Sequence, residues 1–353
     1  MAEHVARRVR ELEEFALTTL PAMRRPDGAF CHEVRAPELE PTGRSLRYTL
    51  ICLLGLQRAQ AAGVSVPVDP SELRALALDE IDSPAMTAGD LGLLLWASGR
   101  ADMDAIDAIS YRLHGRLGAE LPDLEGLELS WILIGAAEAN ASALLDQALA
   151  RQLERSRTPS GLFRHRDAGR RARFPNFATQ IYGVLALALA ARAGREWALE
   201  PAQRAANLLL ELQRPDGGWP WIFDVESGRV VEPYEVYSVH QDAMAPMALL
   251  ELSAVTGDER YREAALCGVE WVFGRNDLGR PLIDREAGIL YRSIRRRGPL
   301  DRAALYVNTA RAMLGRRGIA QTRGALEINP TDRPYHLGWV LEAWSGREPG
   351  PTS

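Results

Sequence analysis

Pro215-Asp216-Gly217-Gly218-Trp219-Pro220-Trp221 is one of three similar heptads in this chain. The others are Pro26-Asp27-Gly28-Ala29-Phe30-Cys31-His32 and Pro159-Ser160-Gly161-Leu162-Phe163-Arg164-His165. A looser copy reads Glu286-Ala287-Gly288-Ile289-Leu290-Tyr291-Arg292. Each joins a turn, a glycine and a large hydrophobic residue, and each precedes an apolar helical stretch. A unit recurring at this scale indicates a repeat architecture. The copies put His32, His165, Trp221 and Arg292 at equivalent positions. In a closed ring of such units these side chains would point toward one mouth.

Outward from the motifs, apolar residues at i, i+3, i+4 spacing predict helix after helix. The segments are about 4–22, 44–61, 70–81, 87–98, 101–117, 126–139, 142–156, 176–193, 199–213, 238–255, 258–274, 300–315 and 333–345. Two types alternate. One is amphipathic and charged, the pattern of an outer helix with one wet face. The other opens with polar residues, as in Ser45-Leu46-Arg47-Tyr48 or Asn176-Phe177-Ala178-Thr179-Gln180, and then turns small and apolar. Such helices would be buried on most sides, with Glu33, Arg47, Tyr48, Asn176 and Gln180 at or near the ends that line a cavity.

Six outer–inner pairs plus one C-terminal helix is the arithmetic of an all-α (α/α)6 toroid. A single domain over 1–345 is expected, with a flexible tail over 346–353. The long connections, about 23–43, 157–175, 214–237 and 275–299, all run from outer to inner helix and would gather at one end. The glycine motifs lie in them as short strands or hairpins. Long ordered loops on one face of a rigid scaffold are where function usually sits.

The chain has 353 residues, 46% hydrophobic, with a net charge of −5. That supports a large core and argues against a general nucleic-acid or membrane-surface binder. All 42 basic residues are arginine. Cys31, Cys52 and Cys267 have no metal-ligand spacing and suit a reducing cytoplasm. Met1 to Phe15 is charged throughout and contains no apolar leader. The longest apolar run, Ile181 to Ala191, is short of the ~20 residues that span a bilayer. A cytoplasmic protein is expected, without cofactor, metal, nucleic-acid partner or membrane span.

One stretch supports a family comparison. Arg204-Ala205-Ala206-Asn207-Leu208-Leu209-Leu210-Glu211-Leu212-Gln213 runs into Arg214-Pro215-Asp216-Gly217-Gly218-Trp219. It resembles the QW repeat of the terpenoid cyclase and protein prenyltransferase superfamily, with Leu208 in place of the usual aromatic. Similar Asp-Gly-Gly-Trp turns occur in toroids of six-hairpin glycosidases, polysaccharide lyases and uronyl epimerases. The resemblance implies a toroid in which Gln213 caps a helix end and stacks on Trp219. The chain lacks both the Asp-x-Asp-Asp and Asp-Asp-x-x-Asp motifs of terpene chemistry. No cysteine sits in a context matching the prenyltransferase zinc site.

The richest segment for chemistry is Val231 to Asp242. Its Glu235 and Asp242 would form an acid–base pair, and Tyr237 and His240 would move a proton at a sugar carbon. The helix start near Asp242 would depress its pKa. Arg164, His165, Arg292 and Arg295 would bind an anionic group through guanidinium forks. Trp219, Trp221 and Tyr234 would stack on a ring, with Tyr335 and Trp339 as further aromatics. Three readings follow: an enzyme acting on an anionic carbohydrate, an isoprenoid-diphosphate enzyme of unusual type, or a non-catalytic binding protein of a polysaccharide pathway.

Overall fold

The computed structural model describes residues 2–101, 103–121, 123–298, 300–316 and 325–347. Six inner helices pack side by side into a ring: α2 (Leu46–Ala61), α4 (Ala88–Gly99), α6 (Gly126–Glu138), α9 (Phe177–Arg192), α11 (Ala245–Thr256) and α14 (Pro334–Trp344), with α14 returning to α2. The outer layer is α1 (Ala2–Thr19), α3 (Pro70–Asp79), α5 (Met103–Glu120), α7 (Ser142–Ser156), α10 (Leu199–Leu212) and α12 (Glu259–Val272). The (α/α)6 toroid read from the sequence is the fold.

Helix α1 packs on α14 and α12, so the first helix is the outer partner of the last inner one. A four-residue helix, α8 (Arg170–Arg173), was not predicted. The helix outside the six pairs is not the C-terminal one: α14 is the sixth inner helix, and α13 (Leu300–Met313) lies against the strands instead. The tail expected over 346–353 begins tied down. Arg347 donates its backbone N–H to Trp344 and sits 3.6 Å from Glu251. Residues 348–353 lie outside the described residues.

Small residues allow the inner helices to close the ring. A Cβ added to Gly55 would meet the carbonyl oxygen of Gly338 at 2.1 Å, and one on Gly135 would meet that of Gly92 at 2.3 Å. Backbone therefore touches backbone at the α2–α14 and α4–α6 crossings. Around these contacts the inner helices are nearly all apolar and buried, which is the main source of stabilisation.

The heptads repeat a single structural device. Gly28, Gly161, Gly217 and Gly288 all have positive φ, from +67° to +88°. The backbone N–H two residues on then points inward and needs an acceptor. A side chain on the next inner helix or just before it supplies one each time. Phe30 donates to Thr49 Oγ1 at 2.9 Å, Phe163 to Gln180 Oε1 at 2.7 Å, Trp219 to Gln241 Oε1 at 2.7 Å and Leu290 to Asp332 Oδ2 at 2.9 Å. Gln213 Nε2 donates to the carbonyls of Gly217 and Ala264, tying its turn to α12.

Short strands knit the connections together. β2 (Ile222–Asp224) pairs with β3 (Arg229–Glu232), and β5 (Ile283–Asp284) with β6 (Ile289–Leu290). Strands from separate connections also pair. β4 (Val236–Tyr237), β7 (Ser293–Arg296) and β8 (Leu326–Asn329) form one sheet, and β1 (Val34–Arg35) pairs with β9 (Thr331–Asp332). This places the segments after the third and fourth heptads edge to edge over the mouth.

No helix among the described residues is long and apolar enough to cross a membrane.

Candidate active site

At the N-terminal ends of the inner helices is a cavity of about 210 Å³. Its polar lining is Arg47 and Tyr48 of α2, Tyr182 of α9, His240, Tyr335 of α14, and Tyr237 and Arg292 from the connections. Trp131, Trp221 and Trp339 supply the aromatic walls. No carboxylate is among the described residues that line it.

His240 occupies the first position of a wide π-type turn, His240–Met244, that leads into α11. Turns of this kind recur at functional sites, because the extra residue re-aims side chains. The imidazole stacks on Trp221, with ring centroids 5.6 Å apart and planes 17° apart. Tyr237 and Phe177 each lie 5.1 Å away. Its Nδ1 is buried without a hydrogen-bond partner. Burial, then the nearby Arg292 and His336, push its pKa down to about 3. His240 is a neutral imidazole across the physiological range.

Arg292 follows β6 and lies over the Tyr237 ring, its Cζ 5.1 Å from the ring centroid. Burial opposes its charge, but Tyr335, Tyr237 and Glu235 outweigh that and raise its pKa. Tyr237 donates its hydroxyl to Glu235 Oε2 at 3.2 Å. Burial, then the Glu235 charge, push that phenol well up, so it stays a proton donor. Arg47 is held by Asp90 at 2.6 Å and Glu128 at 3.0 Å, and covers the Trp131 ring at 5.1 Å. Tyr48 accepts from Arg333 at 2.8 Å and packs on Tyr335.

The other expected site residues lie off the cavity. Asp242 is fully buried and bound through both oxygens to His336 Nε2, at 2.8 and 3.0 Å. Burial raises its pKa against the pull of His336, the opposite of the depression argued from a helix start. Glu235 accepts from Ser293 Oγ, from Asn329 at 3.0 Å and from Tyr237, so it sits behind the wall and orients the phenol. Asp242 and Glu235 do not share the cavity as a facing pair. Trp219 is a core residue stacked on Phe177. Tyr234 donates to Asp277 at 2.8 Å.

Gln180 is the backbone clamp of the second heptad, and Asn176 caps α9 through the Thr179 N–H. His165 is sealed against Thr179 at 2.5 Å and Glu125 at 3.5 Å. His32 stacks on Tyr48 beside the rim. Glu33 meets Arg333 at 3.4 Å.

The arginines of the connections, expected to bind an anionic group, are mostly neutralised. Arg164 pairs with Glu226, Arg166 and Arg171 with Glu125, Arg173 with Asp224, and Arg295 with Glu327. Of the two arginines that line the cavity, Arg47 is paired, and Arg292 has no described carboxylate within ion-pair distance.

Trp131 and Tyr182 were not picked out as site residues, because aromatics inside near-continuous apolar runs read as core; Tyr335 and Trp339, named only as further aromatics, join them in the lining. Their shared signal is position: each lies within about two turns of an inner-helix start.

No protein-family model matches the chain, and no curated protein matches it in sequence. Solved structures match it in fold. A cellobiose 2-epimerase from Bacillus thermoamylovorans B4167 superposes with a TM-score of 0.65 at 12% identity, over 97% of this chain and 99% of that one. A D-mannose isomerase gives 0.62 at 14% identity, over 80% and 88%. An unsaturated glucuronyl hydrolase from Bacillus sp. GL1, described as responsible for glycosaminoglycan degradation, gives 0.58 at 16% identity, over 97% and 96%. At these identities the likeness establishes the toroid shared with six-hairpin carbohydrate enzymes.

Proposed function

We propose that the mouth cavity binds one ring of an anionic sugar and moves a proton at a carbon next to its carbonyl or carboxylate. The observation that carries this is the lining: one neutral imidazole, four phenols and two guanidiniums, with no carboxylate among the described residues. Glycoside hydrolysis ordinarily needs two carboxyl groups flanking the scissile bond. Proton abstraction at carbon needs a base, a donor and a cation to hold the enolate oxygen.

His240 takes the proton from carbon, and the electron pair moves onto the carbonyl oxygen. Arg292 neutralises that oxygen, and the hydroxyl of Tyr335, which also lines the cavity, donates a hydrogen bond to it. Delivery of a proton to the other face from a phenol of the lining, with His240 keeping the one it took, gives epimerisation. Return to the neighbouring carbon gives isomerisation, and loss of a β-substituent gives elimination. The anion bound by Arg292 offsets the charge that depresses the His240 pKa, so substrate binding itself strengthens the base.

The volume of about 210 Å³ suits a single sugar ring between Trp221 and the facing aromatics. An isoprenoid chain asks for a longer apolar space. The net charge of −5 and the paired arginines fit a small-molecule partner rather than nucleic acid. The free cysteines fit a reducing cytoplasm.

Calorimetric titration tests the ligand class. Glucuronate and galacturonate should bind, and glucose and galactose should bind at least tenfold more weakly. Arg292→Met should erase that difference. Equal binding of neutral and acidic sugars would remove the anionic assignment.

A further inference from the structure

A second cavity, of about 710 Å³, lies at the other end of the ring among the C-terminal turns of the inner helices. Trp96 and Trp339 stand between the two, ring centroids 5.7 Å apart. Trp339 faces the mouth and Trp96 the basal cavity.

A chain of ion pairs runs round the base. Glu342 holds Arg100 in a two-pronged pair at 2.7 Å, and Arg100 reaches Glu138 at 3.8 Å. Glu138 also pairs with Arg192, Arg192 pairs with Glu251 at 2.6 Å, and Glu251 reaches Arg347 at 3.6 Å. Arg58 ends the series. It donates to the Ser345 carbonyl at 3.0 Å and has no described carboxylate within ion-pair distance. At the rim, Asp69 and Arg74 add one charge of each sign to the lining. Four guanidiniums therefore share three carboxylates.

The excess charge falls at Arg58 and Arg347. Arg347 is half-buried beside Glu251, and burial, then Arg58, disfavour its charged form. Two polar atoms there are also buried without partners, the Trp96 indole N–H and the Gln57 amide oxygen. Leu185, Leu189 and Met247 form an apolar wall beside them. A half-buried cation short of counter-charge gains from an anion that pairs with it.

We propose that the basal cavity binds a small organic carboxylate. Its oxygens meet Arg58 and Arg347, one of them accepts from the Trp96 N–H, and its apolar body lies on Leu185, Leu189 and Met247. One surplus positive charge selects a monoanion. The site is separate from the mouth and does not rest on the reaction proposed there.

The test uses benzoate as the probe, with inorganic phosphate and chloride at matched ionic strength. Millimolar benzoate should raise the Tm of the full chain by a few degrees, as expected for a ligand of the native state. Arg58→Met should abolish the shift, and Gln57→Glu should abolish it by supplying the negative charge internally. Arg292→Met should leave it intact. Line broadening of 4-fluorobenzoate in ¹⁹F spectra of the unaltered protein gives a reading independent of any variant's folding. No broadening, a benzoate shift that survives Arg58→Met, or a larger arginine-dependent shift with phosphate would each overturn the assignment.

Discussion

Arg292 lies across the face of Tyr237, with its Cζ 5.1 Å from the ring centroid, and lines the mouth cavity without a described carboxylate partner. Most other arginines of the connections pair with a neighbouring acid, as Arg164, Arg166, Arg171, Arg173 and Arg295 do. A partly buried guanidinium left without a described carboxylate partner is prepared for a charge that arrives with the ligand.

Arg292→Met should therefore leave the fold intact while removing function. The expected loss in kcat/KM is about 10²–10³-fold, the usual effect of deleting one preorganised charge stabiliser. Tm should stay unchanged or rise. Parallel rate and thermal-melt measurements check this, and a large drop in Tm would assign Arg292 to stability instead.

His240 should make stability depend on pH. Its folded pKa is depressed to about 3, against an ordinary imidazole value near 6.5. The unfolded chain therefore binds a proton that the native state refuses between those limits. The native state loses stability as pH falls through that window, by ~1.4 kcal/mol per unit. Asp332 acts in the opposite sense. Its carboxyl is pushed up to about 6 by burial, so the stability it contributes is lost as pH rises toward 6. Comparing His240→Asn with the unaltered protein isolates the first effect. The variant should lose ~2 kcal/mol less between pH 6.5 and 5, read from urea midpoints.

Gln180 and Gln241 should matter to folding rather than chemistry. Each accepts a buried heptad N–H at 2.7 Å. Alanine at either position strands that donor at a cost of ~1–3 kcal/mol. Urea midpoints should fall by that amount, while kcat of the remaining folded protein stays within about twofold.

Two glycines should respond with opposite signs. Gly135→Ala would drive a Cβ to 2.3 Å from the Gly92 carbonyl oxygen, and the α4–α6 crossing must open. A cost of at least ~1–3 kcal/mol is expected. Gly115, in α5, has no atom within 4 Å of an added Cβ. Gly115→Ala should stabilise by ~0.5–1 kcal/mol through helix propensity alone. Thermal melts of the pair check the ring-closure account.

Much of the fold was legible because its evidence is local. Helical periodicity locates both layers to within a few residues. The repeated turn-glycine-hydrophobic unit exposes the toroid, since each copy needs a positive φ and an acceptor on the helix that follows. Pairing between connections was not legible. The β4–β7–β8 sheet joins Val236, Ile294 and Ile328, and strands this short carry no registry signal.

The site was half legible. Repeat phase put Trp221, Arg292 and His165 at equivalent positions. Trp221 and Arg292 line the cavity, and Glu125 and Thr179 hold the His165 ring. Sequence proximity grouped Asp242 with His240, but the π-type turn sends them apart, one to the cavity and one to His336. Tyr182 was missed because it lies in an unbroken apolar run on α9 and reaches the cavity only through the ring closure.

The central claim is that His240 exchanges a proton with a sugar carbon. Proton NMR in D₂O tests it most directly, with the protein incubated with glucuronate, galacturonate and their neutral counterparts. The account predicts loss of the signal of the proton next to the carbonyl or carboxylate carbon of an acidic sugar, with a loss rate at least about 10²-fold lower in His240→Asn. Exchange that continues unchanged in His240→Asn, or its absence from every acidic sugar that binds, would contradict the account.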